Sequence, residues 1–259
     1  MQLDGLNVIV TGAAQGIGKA TALAMAKAGA NVSCIDIKTD AVEAVAADVK
    51  ALGRKGLAIT ADLGSVPDID RMVADTVKAF GHIDALVNNA GVTRRAYIMD
   101  LTEEDWDKIH RVNAKGVFFC LQRVAREMIP RRQGRIINIA SVAGKGFQGT
   151  SNAVYAASKG AVISLTKTAA QQLGPHNINV NAVCPGVVMT PLVAELLKVD
   201  SQKSGISMEE AEKRFVAQIP MKRANQPEDI ADMCVFLASP GARNVSGQSI
   251  NVDCGLVPN

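Results

Sequence analysis

Short apolar runs bounded by glycine or polar residues alternate along this chain with segments whose apolar positions recur at helical spacing. Residues 6–10 predict a first strand that runs straight into Thr11-Gly12, and residues 16–28 predict a helix. The alternation then predicts a strand over 31–36, a helix over 40–52, a strand over 57–60, a helix over 68–80 and a strand over 84–87. It continues with one long helical region over 102–128, a strand over 135–140, a helix over 153–173, a strand over 178–183, a helix over 227–237 and a strand over 248–252. Seven strands alternating with helices imply parallel pairing, because each crossover helix must pack back onto the sheet. The strands are apolar along their whole length, as expected where both faces are covered. This pattern gives an α/β fold with a doubly wound, parallel, seven-stranded sheet. No Pro- or Ser-rich linker divides residues 1–259, so one domain is expected. The alternation lapses over 189–222, and an excursion at a sheet's ligand edge is expected to act as a substrate lid.

Composition narrows the function classes. The chain has 28 Lys and Arg against 25 Asp and Glu, a formal net charge of +3, which disfavours an electrostatic nucleic-acid binder. Nine aromatic residues offer few platforms for base stacking. No apolar run approaches the roughly 18 residues of a membrane span, and the start lacks a basic stretch before an apolar one, so neither membrane anchoring nor a secretory leader is expected. Five scattered cysteines without a Cys-x-x-Cys pair read as reduced thiols of a cytoplasmic protein. His82, His110 and His176 have no partners at metal spacing, and no metal site is expected.

Gly12-Ala13-Ala14-Gln15-Gly16-Ile17-Gly18 falls where the first strand meets the first helix. Glycines there let the backbone turn tightly and approach a bound group, while the helix start offers unpaired N–H groups to a pyrophosphate. Gly12, Gln15, Gly16, Ile17 and Gly18 are therefore candidate cofactor contacts. The loop is not a nucleoside-triphosphate P-loop, because Ala13 and Ala20 stand where Gly and Ser or Thr are required. Asp36 ends the second strand, 18 residues after Gly18, close to the offset of a ribose-binding carboxylate. A carboxylate there accepts both ribose hydroxyls of NAD and repels the extra phosphate of NADP. Lys38 is the one dissenting charge nearby.

Tyr155 and Lys159 are four residues apart in a helical segment and share one face. A free phenol, with a pKa of about 10, is a poor base at neutral pH, and lowering it by about three units takes roughly 4 kcal/mol. An exposed ion pair, worth about 0–1 kcal/mol, does not supply that, so the site is expected to be partly desolvated.

Taken in order, Thr11-Gly12-x-x-x-Gly16-x-Gly18, Asp62, Asn88-Asn89-Ala90-Gly91, Asn113, Ser141, Tyr155-x-x-x-Lys159 and Pro185-Gly186-x-x-x-Thr190 span the chain. In these residues it resembles the short-chain dehydrogenase/reductases. The resemblance implies a Rossmann-type fold and a catalytic tetrad. Tyr155 would be the general acid/base, Ser141 would orient the alcohol or carbonyl, and Lys159 would lower the tyrosine pKa and bind the nicotinamide ribose. Asn113 would hold a proton-relay water. It further implies cofactor contacts by Asp62, Leu63, Asn89 and Gly91 around the adenosine, and by Pro185, Gly186, Val188 and Thr190 around the carboxamide. Asn88 is expected to serve the turn instead. A homotetramer is implied, with residues 113–128 and 153–173 packing on symmetry mates. Cys254 replaces the glycine usual in the family's terminal Asp-Gly-Gly.

Asp36 and the intact tetrad together predict an NAD-dependent oxidoreductase that interconverts a small secondary alcohol, polyol or hydroxy-ketone with its ketone. Arg94, Gly144, Gln148, Met189 and Leu192 are candidate substrate neighbours. The nearest alternative is a 3-oxoacyl-[acyl-carrier-protein] reductase, which Thr93-Arg94 and Arg131-Arg132 resemble. Against it stand the usual NADPH preference of those reductases and the weakly basic surface at Gln171, Gln172 and His176. A non-catalytic NAD-sensing regulator on the same fold is the remaining reading, disfavoured by the intact tetrad.

Overall fold

In the computed structural model, which describes residues 2–147 and 151–258, β1 (Asn7–Thr11) lies inside the sheet, third from one edge. It pairs in parallel with β2 (Asn31–Asp36) on one side and β4 (Ala85–Asn88) on the other. Outward from β2 lies β3 (Gly56–Thr60); outward from β4 lie β5 (Gly134–Ile139), β6 (Ile178–Pro185) and β7 (Ser249–Val252). The order is therefore 3-2-1-4-5-6-7, all parallel, and the strand order reverses between β1 and β4. Ligands of such sheets bind outside the strand carboxyl ends at that reversal.

Successive residues of a strand face opposite sides, which divides the core in two. Val8 and Val10 join Met25 of α1 (Gly16–Lys27), Val45 of α2 (Thr39–Ala51) and Cys234 of α9 (Pro227–Ala238) on one face. Ile9 between them joins Met72 of α3 (Val66–Phe80), Leu121 of α5 (Val117–Met128) and Ala169 of α6 (Ala153–Leu173) on the other. Ile9, Met25, Met72 and Leu86 are wholly buried, and each such side chain stabilises the fold by about 1.5–3 kcal/mol. Cys34, Cys120, Cys184 and Cys234 are buried free thiols in these layers.

Two expectations change in the structure. The predicted helix over 102–128 is α4 (Glu103–His110), a π-helical turn (Arg111–Gly116) and α5. Close approach helps to set the turn: a Cβ on Gly116 would stand 2.5 Å from the Leu63 carbonyl oxygen. The irregular stretch over 189–222 is mostly helical, as α7 (Pro191–Ser204) and α8 (Met208–Val216). Thr190 caps α7 ahead of Pro191, Gly205 (φ +64°) ends it, and Ser207 caps α8 through the Glu210 N–H. The excursion leaves and rejoins the body at one point, where Val188 bridges Asn225 and the Met189 N–H donates to the Asn225 carbonyl at 2.8 Å. Among the described residues no helix is long and apolar enough to cross a membrane.

Candidate active site

A cavity of about 760 Å³ opens at the carboxyl ends of the strands around the β1/β4 reversal. Ten expected cofactor residues line it: Gly12, Gln15, Gly16, Ile17, Asp36, Asp62, Leu63, Asn89, Gly91 and Thr190. Three glycines of the loop have different jobs. A Cβ on Gly12 (φ +65°) would stand 2.8 Å from Ala90 Cα, and one on Gly18 only 1.9 Å from the Gly12 carbonyl oxygen. Those two permit backbone packing beneath the loop. At Gly16 (φ +54°) nothing lies nearer than Thr190 Cγ2 at 3.9 Å, so that position opens into the cavity. The start of α1 has neither a side-chain cap nor an acid in its first turn. Its free N–H groups face an open cradle, which fits a pyrophosphate.

Asp36 accepts from the Ala14 N–H at 3.0 Å with one oxygen and from the Lys38 N–H at 3.1 Å with the other. It thus ties the glycine loop to β2 and presents its carboxylate at the cavity edge. Lys38 Nζ donates to Gln15 Oε1 at 3.2 Å, so the dissenting cation also sits on the cavity. Asp62 also lines the cavity, with Arg111 on one oxygen at 2.8 Å and the Gly64 N–H on the other. Partial burial raises its pKa, but those two donors outweigh it and hold the carboxyl below the usual range. Arg111, Lys108 and Val112 also line the cavity, and sequence reasoning missed all three. Lys108 sits on the last turn of α4, and Arg111 and Val112 on the helix break, which apolar periodicity does not register.

Asn89 donates to the carbonyls of Thr11 at 2.9 Å and Gly12 at 3.1 Å, stitching β4 to the loop. Its neighbour Asn88 is not a turn residue: it ends β4, wholly enclosed, and donates to Asn138 Oδ1 at 2.9 Å. Asn138 in turn donates to Thr166 of α6 at 2.9 Å. This polar ladder crosses two strands to reach the helix that carries Tyr155 and Lys159.

Ser141 follows β5, and Tyr155 and Lys159 sit on the first turns of α6, whose start is fixed by Asn152 accepting from the Tyr155 N–H at 2.8 Å. Burial pushes the Tyr155 phenol above its ordinary value, and the Ser141 hydroxyl within its reach pulls it back down, with a net rise. Lys159 is buried; its ammonium donates to the Ile139 carbonyl at 2.7 Å and lies 5.7 Å from the centre of the Tyr155 ring. Burial lowers its pKa from 10.5 to about 8. Asn113 is fully buried in the π-helical turn. Its side chain accepts from the Val92 N–H at 2.8 Å and donates to the Val92 carbonyl at 2.9 Å and to Ser158 Oγ at 3.1 Å. Ser158 completes the link by donating to the Tyr155 carbonyl at 2.7 Å. Helix breaks of this kind occur often at functional sites.

The remaining expected residues have other contacts. Pro185 ends β6, and Gly186 packs so tightly that a Cβ would stand 2.7 Å from Asp253 Cβ. Val188 forms the base of the α7–α8 excursion. Gly144 packs against the backbone of Lys159 and Gly160, with no room for a Cβ. Arg94 is held by Asp105 and the Asp100 carbonyl. Arg131 pairs with Asp84, which His82 also contacts at 3.1 Å, and Arg132 donates to the Pro175 carbonyl. Of that pair, Arg131 has a carboxylate partner, whereas Arg132 is exposed and bonds a neutral carbonyl. Gln148 lies outside the described residues, as does the side chain of Leu192. Among the described residues no His, Cys, Asp and Glu cluster could hold a metal ion.

Residues 12–257 match the family model described as enoyl-(acyl carrier protein) reductase. The chain is 41% identical over 258 residues to the 3-oxoacyl-[acyl-carrier-protein] reductase FabG of Thermotoga maritima, covering 99% of this chain and 100% of that one. It is 39% identical over 252 residues to the 3-oxoacyl-[acyl-carrier-protein] reductase of Synechocystis, covering 96% of each. Among solved structures it superposes on a short-chain type dehydrogenase/reductase from Mycobacterium marinum with a TM-score of 0.90 at 33% identity, covering 100% and 98% of the two chains. It superposes on an NAD+-bound xylitol dehydrogenase with a TM-score of 0.88 at 32% identity, covering 97% and 99%. A glycine cradle at the strand reversal and a serine, tyrosine and lysine at the next strand end thus accompany full-length similarity, and the chain belongs to the short-chain dehydrogenase/reductase family of NAD(P)-dependent oxidoreductases acting on CH–OH groups.

Proposed function

We propose that this protein reduces 3-oxoacyl thioesters to 3-hydroxyacyl thioesters, the alternative of the sequence reading. The carrying observation is 41% identity, end to end, to a 3-oxoacyl-[acyl-carrier-protein] reductase. Ser141 donates to the substrate carbonyl oxygen, and Tyr155 delivers the proton that this oxygen takes up. Lys159 contributes a buried positive charge beneath the phenol and carries the nicotinamide ribose. The Asn113–Ser158 link keeps the Val92 segment and the Tyr155 turn in register. The coenzyme supplies the hydride in this direction, and its oxidised ring supplies positive charge in the reverse one. Residues 189–222 close over the substrate as a lid.

The preferred coenzyme in this proposal is NAD(H), because Asp36 carries negative charge where the extra phosphate of NADP would lie. A second reading, NAD-linked oxidation of a small polyol or secondary alcohol, is favoured by the same carboxylate and by similarity to a xylitol dehydrogenase. A cytoplasmic homotetramer accompanies either reading. Phe118 on α5 and Phe236 on α9, 39% and 43% exposed, provide apolar surface for symmetry mates, and the buried free thiols suit a reducing compartment. Turnover of acetoacetyl thioesters and of a polyol panel, each with both coenzymes, tests the reading. Thioester reduction faster with NADH supports it; polyol oxidation with no thioester turnover replaces it by the second. Light scattering of the purified protein tests the tetramer.

A further inference from the structure

A second concavity of about 430 Å³ lies between α7 and α8 and shares no lining residue with the coenzyme cavity. Its floor is apolar. Leu197 and Ala211 are buried where the two helices pack, and Val199, 37% exposed, and Phe215 extend that surface toward solvent. Its described lining includes three cations, Arg95, Lys203 and Arg214, and no carboxylate. Arg214 shares its Nε–H with Glu210 at 3.2 Å. Arg95 and Lys203 have no hydrogen-bond or ion-pair partner among the described residues. The contrast with Arg94, which Asp105 neutralises, is informative. Of two adjacent arginines, one is spent on the fold and its neighbour points to the groove.

An apolar floor with unpaired cations at the rim suits one kind of small molecule, an aliphatic chain that ends in an anion. The volume falls within the roughly 300–1,000 Å³ usual for small-molecule sites. We propose that this groove binds an amphiphilic anion, with the chain along Leu197, Val199 and Phe215 and the carboxylate or phosphate head on Arg95 and Lys203. The inference is independent of which CH–OH group the enzyme oxidises. Such a ligand joins the α7–α8 excursion to the segment after β4 that carries Arg95. The Thr190 hydroxyl, on the coenzyme cavity, accepts from the N–H of Val193, on the groove, so α7 reaches both sites. Binding at the two is therefore expected to be coupled, and coupling of this kind is reciprocal.

Calorimetric titration of the intact protein, saturated with NADH, with decanoate, decyl phosphate and decanol below their aggregation limits tests the proposal. Binding by either anion at least tenfold tighter than by decanol supports it, and which anion binds better identifies the head group. In the double variant Arg95→Gln/Lys203→Gln, affinity for the anion is expected to fall at least tenfold, and Val199→Glu, placing a carboxylate on the exposed rim, is expected to do the same. Circular dichroism and coenzyme affinity report whether each variant is folded. Equal binding of decanol, no binding of either anion, or undiminished binding by the folded double variant overturns the proposal.

Discussion

The ammonium of Lys159 lies 5.7 Å from the centre of the Tyr155 ring and donates one of its three hydrogens to the Ile139 carbonyl. In the proposed reaction the lysine acts on the phenol through its charge, its described hydrogen bond going to the backbone. Holding that charge in a buried place is costly, which is why its pKa falls from 10.5 to about 8. Between these two values the unfolded chain binds the proton more tightly than the folded one, so stability rises with pH across that window. The gain is about 3 kcal/mol at 1.36 kcal/mol per pKa unit. Lys159→Met is expected to remove this rise and to lower kcat by about 10³-fold, on the scale of losing acid–base assistance. Denaturant unfolding from pH 7 to 10.5 checks the first effect; parallel pH dependences for the two proteins would refute it.

Ser141 is the group that pulls the Tyr155 phenol down against burial. Ser141→Ala is expected to raise the phenol pKa. The pH at which alcohol oxidation reaches half its maximum then moves upward, as the base form of Tyr155 appears later. Activity of Tyr155→Phe is expected to fall by about 10²–10⁴-fold. A pH–rate profile of kcat/KM for oxidation reads the shift, and a profile unmoved in Ser141→Ala would separate serine from tyrosine.

Asp36 holds the Ala14 N–H as well as lining the cavity. Asp36→Ala alone is therefore expected to weaken both coenzymes, because the glycine loop loses its tie to β2. Ile37 is 65% exposed beside it and has room for a cation. The double variant Asp36→Ala/Ile37→Arg is expected to change the NADP to NAD ratio of kcat/KM by about 100-fold in favour of NADP, near 2.7 kcal/mol. An unchanged ratio would show that this carboxylate does not select the coenzyme.

Ser158 is the only described partner of one Asn113 amide hydrogen apart from Val92. Ser158→Ala leaves a buried donor unmet, at a cost of about 1–3 kcal/mol. Asn113→Leu, which also releases both Val92 bonds, is expected to cost more and to lower kcat. Urea unfolding with an unchanged slope checks the order of the two variants.

Cys254 occupies a left-handed conformation at φ +57°, and its thiol donates to Asn225 Oδ1 at 3.4 Å. A side chain in that region costs roughly 1–2 kcal/mol, more than a weak thiol hydrogen bond returns. Cys254→Gly is accordingly expected to stabilise the protein by about 1 kcal/mol and raise Tm. A lower Tm would show that the thiol's hold on Asn225, at the base of the α7–α8 excursion, outweighs backbone strain.

Much of this site is readable before folding. The glycine loop is legible from the junction of one strand with one helix, and Asp36 from its offset along the chain, although the two meet only where β2 pairs with β1. Tyr155 and Lys159 share a face through helix geometry alone. The break at Asn113 is not readable in this way, since one π-helical turn leaves the apolar spacing of α4 and α5 almost intact. Helices α7 and α8 carried usable signals in Thr190-Pro191 and Ser207-x-x-Glu210, both helix-start patterns, but their mixed apolar and polar positions concealed them.

Other roles depend on contacts between residues far apart in the chain. Asn88 meets Asn138 only through the register of β4 on β5, and Asn138 meets Thr166 only because α6 crosses that strand. Arg94 and Arg95 are equivalent as letters; Asp105, eleven residues onward, makes one structural and leaves the other facing the groove. The amino-acid sequence by itself determined the strand and helix alternation and the parallel sheet, because these follow from periodicities within single elements, and it carried the family resemblance in motifs spread along the chain. The tertiary structure alone decided which polar groups are spent on each other and which face an open cavity. Hydrogen bonding and burial are properties of pairs that the chain brings together only when the sheet closes.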